Sequence, residues 1–460
     1  MACRPILFLS ALAIFGCSQV ASDSSGAGEA RNNLAQVPVS APETGLDGFP
    51  KLSAENDWPW WRGPSRNGIA AKSAAPPTTF SATENVAWKQ ELPGTGWSSP
   101  ILHNNRIYLT TAVVGSDSDD EGENEQHTLK VLCLDYADGS TIWETAVFTP
   151  DAEASPNIHN KNSHASPTPL IVDDRLYAHF GHQGIACLDL AGNIIWRNNE
   201  FAYPPVHGNG GSPVVTDNSV IFTCDGAEDP FVIALRRSDG YELWRTPRPV
   251  DATKKFSFCT PLLITVDRRQ QVICPGSDIV SALDATTGEE IWHVKYDGYS
   301  VVPRPVYHHG LLFICTGFGK PSLLAIRPDG QGDVTDTHVA WTVSKGAPNT
   351  PSPVVVGDEL FMVSDRGVAS CIDAHSGESI WQERRGGGFS DSPVAADGKV
   401  YFQNEAGEGT VIEASREFNV LSKNDLAEQS LASYALAPGA ILIRTEKHLY
   451  RIESPGSTAN

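Results

Sequence analysis

The sequence is short of methionine, of basic charge and of long apolar runs. Only 2 of its 460 residues are Met, against 11 Trp and 40 Gly, a balance that favours punctuated β-structure over a helical bundle. Lys and Arg number 34 against 55 Asp and Glu, for a formal charge of −21. A chain this acidic repels phosphate backbones, so nucleic acid is not expected as a partner. No stretch beyond the leader approaches the roughly 18 apolar residues that a membrane helix needs. No nucleophile elbow, P-loop, dinucleotide fingerprint or HExxH pair is present, which removes the signatures of several large enzyme classes. Gly386-Gly387-Gly388 follows a strand instead of opening a helix, and reads as a turn rather than a phosphate cradle.

What is present begins with an address. Arg4 and the apolar run Ile6 to Phe15 read as an export signal, too short to span a bilayer. Ile14-Phe15-Gly16-Cys17 resembles the bacterial lipobox, which implies removal of residues 1–16 and lipidation of Cys17. The plainer alternative is a secretory signal with an incidental cysteine. Residues 17–57, rich in Ser, Ala, Gly, Asn and acids, read as a disordered tether from Cys17 with a reach of about 35 Å. Ser18, not an acid, follows Cys17; by resemblance to lipoprotein sorting this implies the outer membrane, facing the periplasm.

The body of the chain repeats. A Gly stands four residues before a Trp in Gly139…Trp143, Gly192…Trp196, Gly240…Trp244, Gly288…Trp292 and Gly377…Trp381, and Trp341 ends a related unit with an insert after Asp329-Gly330. These Trp residues are spaced by 53, 48, 48, 49 and 40. On the same beat runs a polar residue, Pro and an aliphatic, as in Ser99-Pro100-Ile101, Thr168-Pro169-Leu170, Ser212-Pro213-Val214, Thr260-Pro261-Leu262, Arg304-Pro305-Val306, Ser352-Pro353-Val354 and Ser392-Pro393-Val394. Each unit breaks into four short strands between Gly/Asp turns, the pattern of an antiparallel meander. Repeated, it predicts an all-β, eight-bladed β-propeller of four-stranded antiparallel blades. Proline suits the innermost, edge strand of a blade, and the indole suits the widening gap between outermost strands. Six blades end at the Trp residues named. Residues 389–421 make a seventh, with Val420 in the Trp place. Residues 430–453 supply three strands, and Val86 to Gln90 is expected to close the ring as the fourth. Seven blades is the alternative. Residues 58–83 are read as an N-terminal segment packing on a propeller of residues 84–453, and 454–460 as a tail.

The unit Val280-Ser281-Ala282-Leu283-Asp284…Gly288-Glu289-Glu290-Ile291-Trp292 resembles the PQQ-like, quinoprotein-type propeller repeat. The opening Trp58-Pro59-Trp60-Trp61-Arg62-Gly63-Pro64 is similar to a segment that precedes such propellers in bacterial lipoproteins. The resemblance implies two functional branches. Quinoprotein alcohol and sugar dehydrogenases hold pyrroloquinoline quinone over calcium, many against a vicinal Cys-Cys disulfide; no adjacent Cys pair occurs here. The BamB-type branch implies a non-enzymatic, lipid-anchored scaffold of the cell envelope, a monomeric propeller bound to an envelope protein or complex, with no cofactor. Length, lipobox and missing cofactor residues favour this second branch. A carbohydrate- or peptide-binding module built on Trp97 is a third reading.

Candidate site residues are few. Cys133, Cys187 and Cys371 share one repeat position and Cys224, Cys274 and Cys315 another. Equivalent places in adjacent blades lie about 10 Å apart, too far for disulfides, so these read as small buried hydrophobes. His164, His179, His182 and His207, with His159 and the acids Asp225, Glu228 and Asp229, fall where loops face one mouth of the channel. Clustered imidazoles suit a transition metal, yet no spacing matches a standard zinc motif, and polar loop residues are the simpler account. The acidic insert Asp117 to Glu125 begins like a calcium loop but has Thr128 where Glu is required. Trp97, Asn209, Arg304, Lys320, Arg366 and Asp391 are expected on the mouth-facing loops as a shallow binding face, or else as ordinary loop polarity.

Overall fold

The computed structural model describes residues 57–71, 74–115, 126–151 and 158–454. The chain divides into two units, Met1–Pro38 and Val39–Asn460, and every described residue belongs to the second. The leader, Cys17, most of the tether, the acidic insert and residues 455–460 lie outside the described residues.

Short strands separated by tight turns fold as eight four-stranded antiparallel blades. Blade 1 is Ile101–His103, Arg106–Val114, His127–Asp135 and Thr141–Phe148. Blade 2 is Leu170–Val172, Arg175–His179, Ile185–Asp189 and Ile194–Asn198. Blade 3 is Val214–Val215, Ser219–Cys224, Phe231–Arg236 and Glu242–Pro247. Blade 4 is Leu262–Val266, Arg269–Gly276, Ile279–Asp284 and Glu290–Lys295. Blade 5 is Val306–His308, Leu311–Cys315, Leu323–Ile326 and Val339–Val343. Blade 6 is Val354–Val356, Glu359–Val363, Val368–Asp373 and Ser379–Arg384. Blade 7 is Val394–Ala396, Lys399–Gln403, Glu408–Glu413 and Val420–Asp425. Blade 8 takes Ala435–Ala437, Ala440–Arg444 and His448–Glu453 from the end of the chain and Val86–Glu91 from its start. The ring therefore closes as the sequence predicts, and the outer edge of His448–Glu453 is paired by Val86–Glu91 instead of being left open.

Burial follows position in the blade. Middle strands are sandwiched between neighbouring blades and are apolar on both faces, as in the wholly buried Ser219–Cys224. Outermost strands alternate, as in Val86–Glu91. In all eight blades the register between the third and fourth strands shifts by a bulge beside the Trp place. A bulge adds local twist and re-aims a side chain. Here it swings the indole onto the next blade. Trp88, Trp143, Trp196, Trp244 and Trp341 lie over Gly139, Gly192, Gly240, Gly288 and Gly377, where an added Cβ would stand 2.5–2.8 Å from the ring. The glycine thus serves its own turn through a positive φ, 74° at Gly240, and gives the preceding blade a platform. Trp292 departs from this scheme. The insert of blade 5 lays Gly332–Asp333 parallel to the outermost strand of blade 4 and covers Trp292, whose Nε1 donates to Gln271 Oε1 at 3.0 Å.

One expectation is corrected by register. Cys371 faces Trp381 across the bulge of blade 6, and the matching Val411 of blade 7 faces Ser422. Ser422, not Val420, holds the Trp place, and blade 7 extends to Asp425. Its hydroxyl donates to Thr78 O, and Asn424 Nδ2 donates to the same oxygen at 2.9 Å, so residues 78–82 cover the edge that an indole covers elsewhere.

The prolines immediately precede the innermost strands, and the polar residue before each has a task that the repeat alone does not reveal. The amide of Ser99 donates to Thr168 Oγ1, Thr168 to Ser212 Oγ, Ser212 to Thr260 Oγ1, Arg304 to Ser352 Oγ, Ser352 to Ser392 Oγ and Ser392 to Ser433 Oγ, each at 2.9 Å. Each hydroxyl is a clasp closed on the preceding blade. Between blades 8 and 1 a buried Arg444 spans the seam instead. Its Nη1 donates to Ser98 O at 3.1 Å, Ser98 Oγ at 2.6 Å and Thr110 O at 2.9 Å.

Residues 57–71 form a plug across the ring axis. Trp58 pairs with Leu102 of blade 1, Pro59 O accepts from Ile171 of blade 2, Asn67 Nδ2 donates to Tyr307 O of blade 5, and Gly68 and Ala70 pair with Ala395 of blade 7. Arg62, buried at the centre, donates to Pro393 O at 2.9 Å and Pro353 O at 2.5 Å. Asp57 is also buried, with Oδ2 3.1 Å from His103 Nδ1, so ordered structure begins inside the stretch read as tether.

Candidate functional site

The innermost strands of blades 1 to 7 start directly after their prolines, that of blade 8 after Tyr434, and all eight run away from one mouth of the ring. The eight connections that cross this mouth surround a bowl of about 380 Å³. Trp61 of the plug contributes to its lining, and the plug makes it a dead end rather than a passage.

The wall is aromatic on one side. His207 and Phe256 lie 5.3 Å apart by ring centroids, Phe256 and Phe258 5.9 Å, Phe256 and Tyr299 6.2 Å, and Tyr299 and Phe318 6.4 Å. Lys254 Nζ stands 4.1 Å from the Tyr299 centroid, within cation–π range. Across the bowl, Lys161 Nζ pairs with Glu405 at 2.6 Å, and Trp97 adds its ring from the first connection. The hydroxyls of Thr168, Ser212, Ser392 and Ser433 also line the bowl, but they are the clasps and already accept backbone amides. What remains for a ligand is chiefly the rings and Lys254.

The residues singled out from the sequence separate. Trp97 lines the bowl. Arg304 and Asp391 are buried; Arg304 Nε donates to Pro261 O at 3.3 Å and its Nη1 to Arg66 O, so it braces the plug. Burial raises the Asp391 carboxyl well above its ordinary range. Burial, then Arg304, lowers Arg62 to about 9. Asn209 packs against Gly181, with Nδ2 3.5 Å from His179 Nδ1. Lys320 is exposed and paired with Asp297 at 2.6 Å, and Arg366 is exposed on a turn of blade 6.

The imidazoles do not gather as a ligand set. His207 lines the bowl, edge-on to His159 at 5.6 Å. His179 is buried behind the wall, its Nδ1 3.1 Å from Gly211 O, and burial lowers its pKa to about 4. His164 stacks on His127 at 4.4 Å, and burial followed by His127 lowers it to about 4. His182 meets Tyr203 at 6.2 Å, and Asp225 is bonded to Arg248 at 2.5 Å. The seven described cysteines are free and buried. Phe256, Phe258, Tyr299 and Phe318 were not picked out by sequence, because they sit in connections that fall outside the repeat.

A quinone held over calcium can be tested against this lining. The bowl's lining carries two lysines and two histidines and no cysteine among its described residues, and the carboxylate at its edge, Glu405, is already engaged by Lys161 and Ser390. Calcium takes hard oxygen ligands, carboxylates above all. The donor set does not fit such a group.

The family model described as outer membrane protein assembly factor BamB matches residues 78–274 and 276–418, more than half of the chain. The chain is 23% identical over 199 residues to the outer membrane protein assembly factor BamB of Shewanella oneidensis, covering 43% of this chain and 45% of that protein. It is 24% identical over 249 residues to the protein of the same name from Yersinia pestis, covering 49% and 59%. The match thus spans about half the length of these curated relatives. Among solved structures, the computationally designed Ika8 protein aligns over 80% of this chain and 99% of its own at a TM-score of 0.55 and 8% identity, which bears on fold alone. BamB of Moraxella catarrhalis aligns over 70% and 97% at 0.48 and 15%. With blades, clasps and bowl in place, the family model decides the matter: the chain belongs to the outer membrane protein assembly factor BamB family.

Proposed function

We propose that this protein is a non-enzymatic scaffold of the bacterial cell envelope, lipid-anchored through Cys17 at the outer membrane, whose bowl docks an extended segment of an envelope protein. The observation that carries the reading is the aromatic arc from His207 to Phe318 over a sealed floor. Rings offer large rigid contact area at small entropic cost, and a closed floor suits docking rather than transit. Lys254 favours a segment carrying an acidic side chain. Membership of the BamB family and the lipobox-like Ile14-Phe15-Gly16-Cys17 support the address.

The test uses the full chain expressed in its own host. Wild type solubilised from membranes is expected to co-purify with a defined envelope complex, and a Phe256→Ala/Trp97→Ala double variant to lose it while remaining membrane-bound. A solitary wild-type monomer, or a complex unaffected by the double variant, refutes the docking role. Co-elution of a quinone absorbance after adding pyrroloquinoline quinone and calcium, bleached by an alcohol or sugar, would replace the scaffold by a dehydrogenase.

A further inference from the structure

The face opposite the bowl carries the turns between first and second strands and between third and fourth strands of each blade. The repeat supplies its own control there, because the same turn is seen in several versions. At the first turn position φ is 51° for Asn104, 50° for Asp173, 48° for Asp267, 62° for Gly357 and 48° for Asp397. Gly, Asn, Asp and, less often, His are the residues that tolerate this left-handed region. Blade 5 places His309 there, at φ 52°. In the later turn, Ala137, Ala191 and Thr286 donate their amides to the Asp that opens the turn. Blade 6 makes the same hydrogen bond with His375, to Asp373. Two imidazoles have thus entered turns that elsewhere hold small or turn-forming residues, and they have done so at one seam.

Asp358, in the first turn of blade 6, lies between them. Its Oδ1 is 3.2 Å from His309 Nε2 and 3.2 Å from His375 Nε2. The two rings are 4.3 Å apart by centroid, and one ligand atom from each of the three residues lies within 4.8 Å of the others. A tetrahedral zinc with bonds near 2.0 Å sets its ligand atoms about 3.3 Å apart. Behind His309 stands a further imidazole, His308, 4.1 Å away by ring centroid, whose buried Nδ1 has no hydrogen-bond partner.

We propose that His309, Asp358 and His375 form a zinc site that clamps blades 5 and 6 on the face away from the bowl. Two imidazoles and one carboxylate are a recurrent borderline-soft donor set for this metal, and exposure of Asp358 and His375 leaves a position open to solvent. On binding, His309 Nε2 exchanges its 2.8 Å hydrogen bond to Gly357 O for the metal. The clamp would act at the seam where Trp341 lies over Gly377, two residues from His375. This inference is independent of what the bowl binds.

The experiment is calorimetric titration of the metal-free full chain with zinc chloride, with magnesium chloride as the comparison. One saturable equivalent of zinc is expected, none of magnesium, and a thermal midpoint that rises with zinc because the folded ring alone assembles the three ligands. His375→Ala and His309→Asn place at each position a residue that sister turns carry, so the metal-free fold is retained. Each should weaken zinc at least about tenfold and abolish the thermal shift. Asp358→Asn is the third variant, with the same expectation. A His164→Ala/His207→Ala variant should bind as wild type. Absence of saturable zinc overturns the proposal. So does binding unchanged in His375→Ala and His309→Asn, or lost in the His164/His207 variant.

Discussion

Removing a single clasp should unzip one seam of the ring, and Ser212 is the place to try it. Its Oγ accepts the Thr168 amide at 2.9 Å, and both residues are buried, at 5% and 4% exposure. Ser212→Ala removes the acceptor and leaves the amide of the buried Thr168 without its hydrogen bond. An orphaned buried donor costs about 1–3 kcal/mol. In exchange terms that is a roughly five- to 150-fold faster opening at the Thr168 amide. Ser212→Thr is the matched control, because Thr168 and Thr260 perform the same task in neighbouring blades. The assays are the urea midpoint and hydrogen exchange resolved to the peptide containing Thr168. The expected result is a lower midpoint and selective deprotection in Ser212→Ala, with Ser212→Thr close to wild type. If Ser212→Ala matches wild type in both assays, or if Ser212→Thr is as damaging, the hydroxyls are passive neighbours of proline and the clasp argument fails.

Three further outcomes follow from the same geometry. Gly240→Ala meets both a φ of 74° and the Trp196 ring at 2.6 Å, whereas Gly398→Ala meets a φ of 68° and nothing within 4 Å; the first should lower the unfolding free energy, measured by urea denaturation, by about 2 kcal/mol more than the second, and equal losses would remove the platform role. Arg444→Ala should destabilise by about 3 kcal/mol by taking the guanidinium from the Ser98 carbonyl and leaving Thr110 O only its 3.3 Å bond from Ser98 Oγ at the seam between blades 8 and 1, read as a fall in urea midpoint; an unchanged midpoint would show that the seam holds without it. His179 has a folded pKa of about 4 against 6.5 in the unfolded chain, so the unfolded chain takes up the proton first, and stability should fall as pH drops from about 6.5 to about 4. His179→Gln should flatten that dependence by up to about 3 kcal/mol across urea midpoints, and an identical slope in both proteins would count against the buried neutral imidazole.

The periodic part of the architecture is the part that sequence exposes. Gly240 and Trp196 recur because every blade must turn and every blade must meet its neighbour, so repetition itself reveals them. The serines and threonines before proline recur equally, yet their partners lie 40 to 69 residues away and only the closed ring shows them as clasps. Val420 misleads because the turn before it lacks the Gly that marks its sisters and is one residue longer, running from Glu413 to Val420 where blade 6 runs from Asp373 to Ser379. Phe256 and Tyr299 lie in connections of unequal length, which no repeat aligns. Arg62 could not be placed, since its acceptors Pro353 and Pro393 are 291 and 331 residues distant. His309 and His375 are legible only afterwards, as departures from sister turns.

The plug has a mechanical consequence. Because residues 57–71 are bonded to the inner strands of blades 1, 2, 5 and 7, a pull applied upstream of Asp57 is shared among several blades before it reaches Val86–Glu91. That closing strand is the one piece of the ring that tension from the front of the chain would otherwise peel away. The plug acts like the gland on a cable, gripping the line inside the housing so that the joint behind it carries no load.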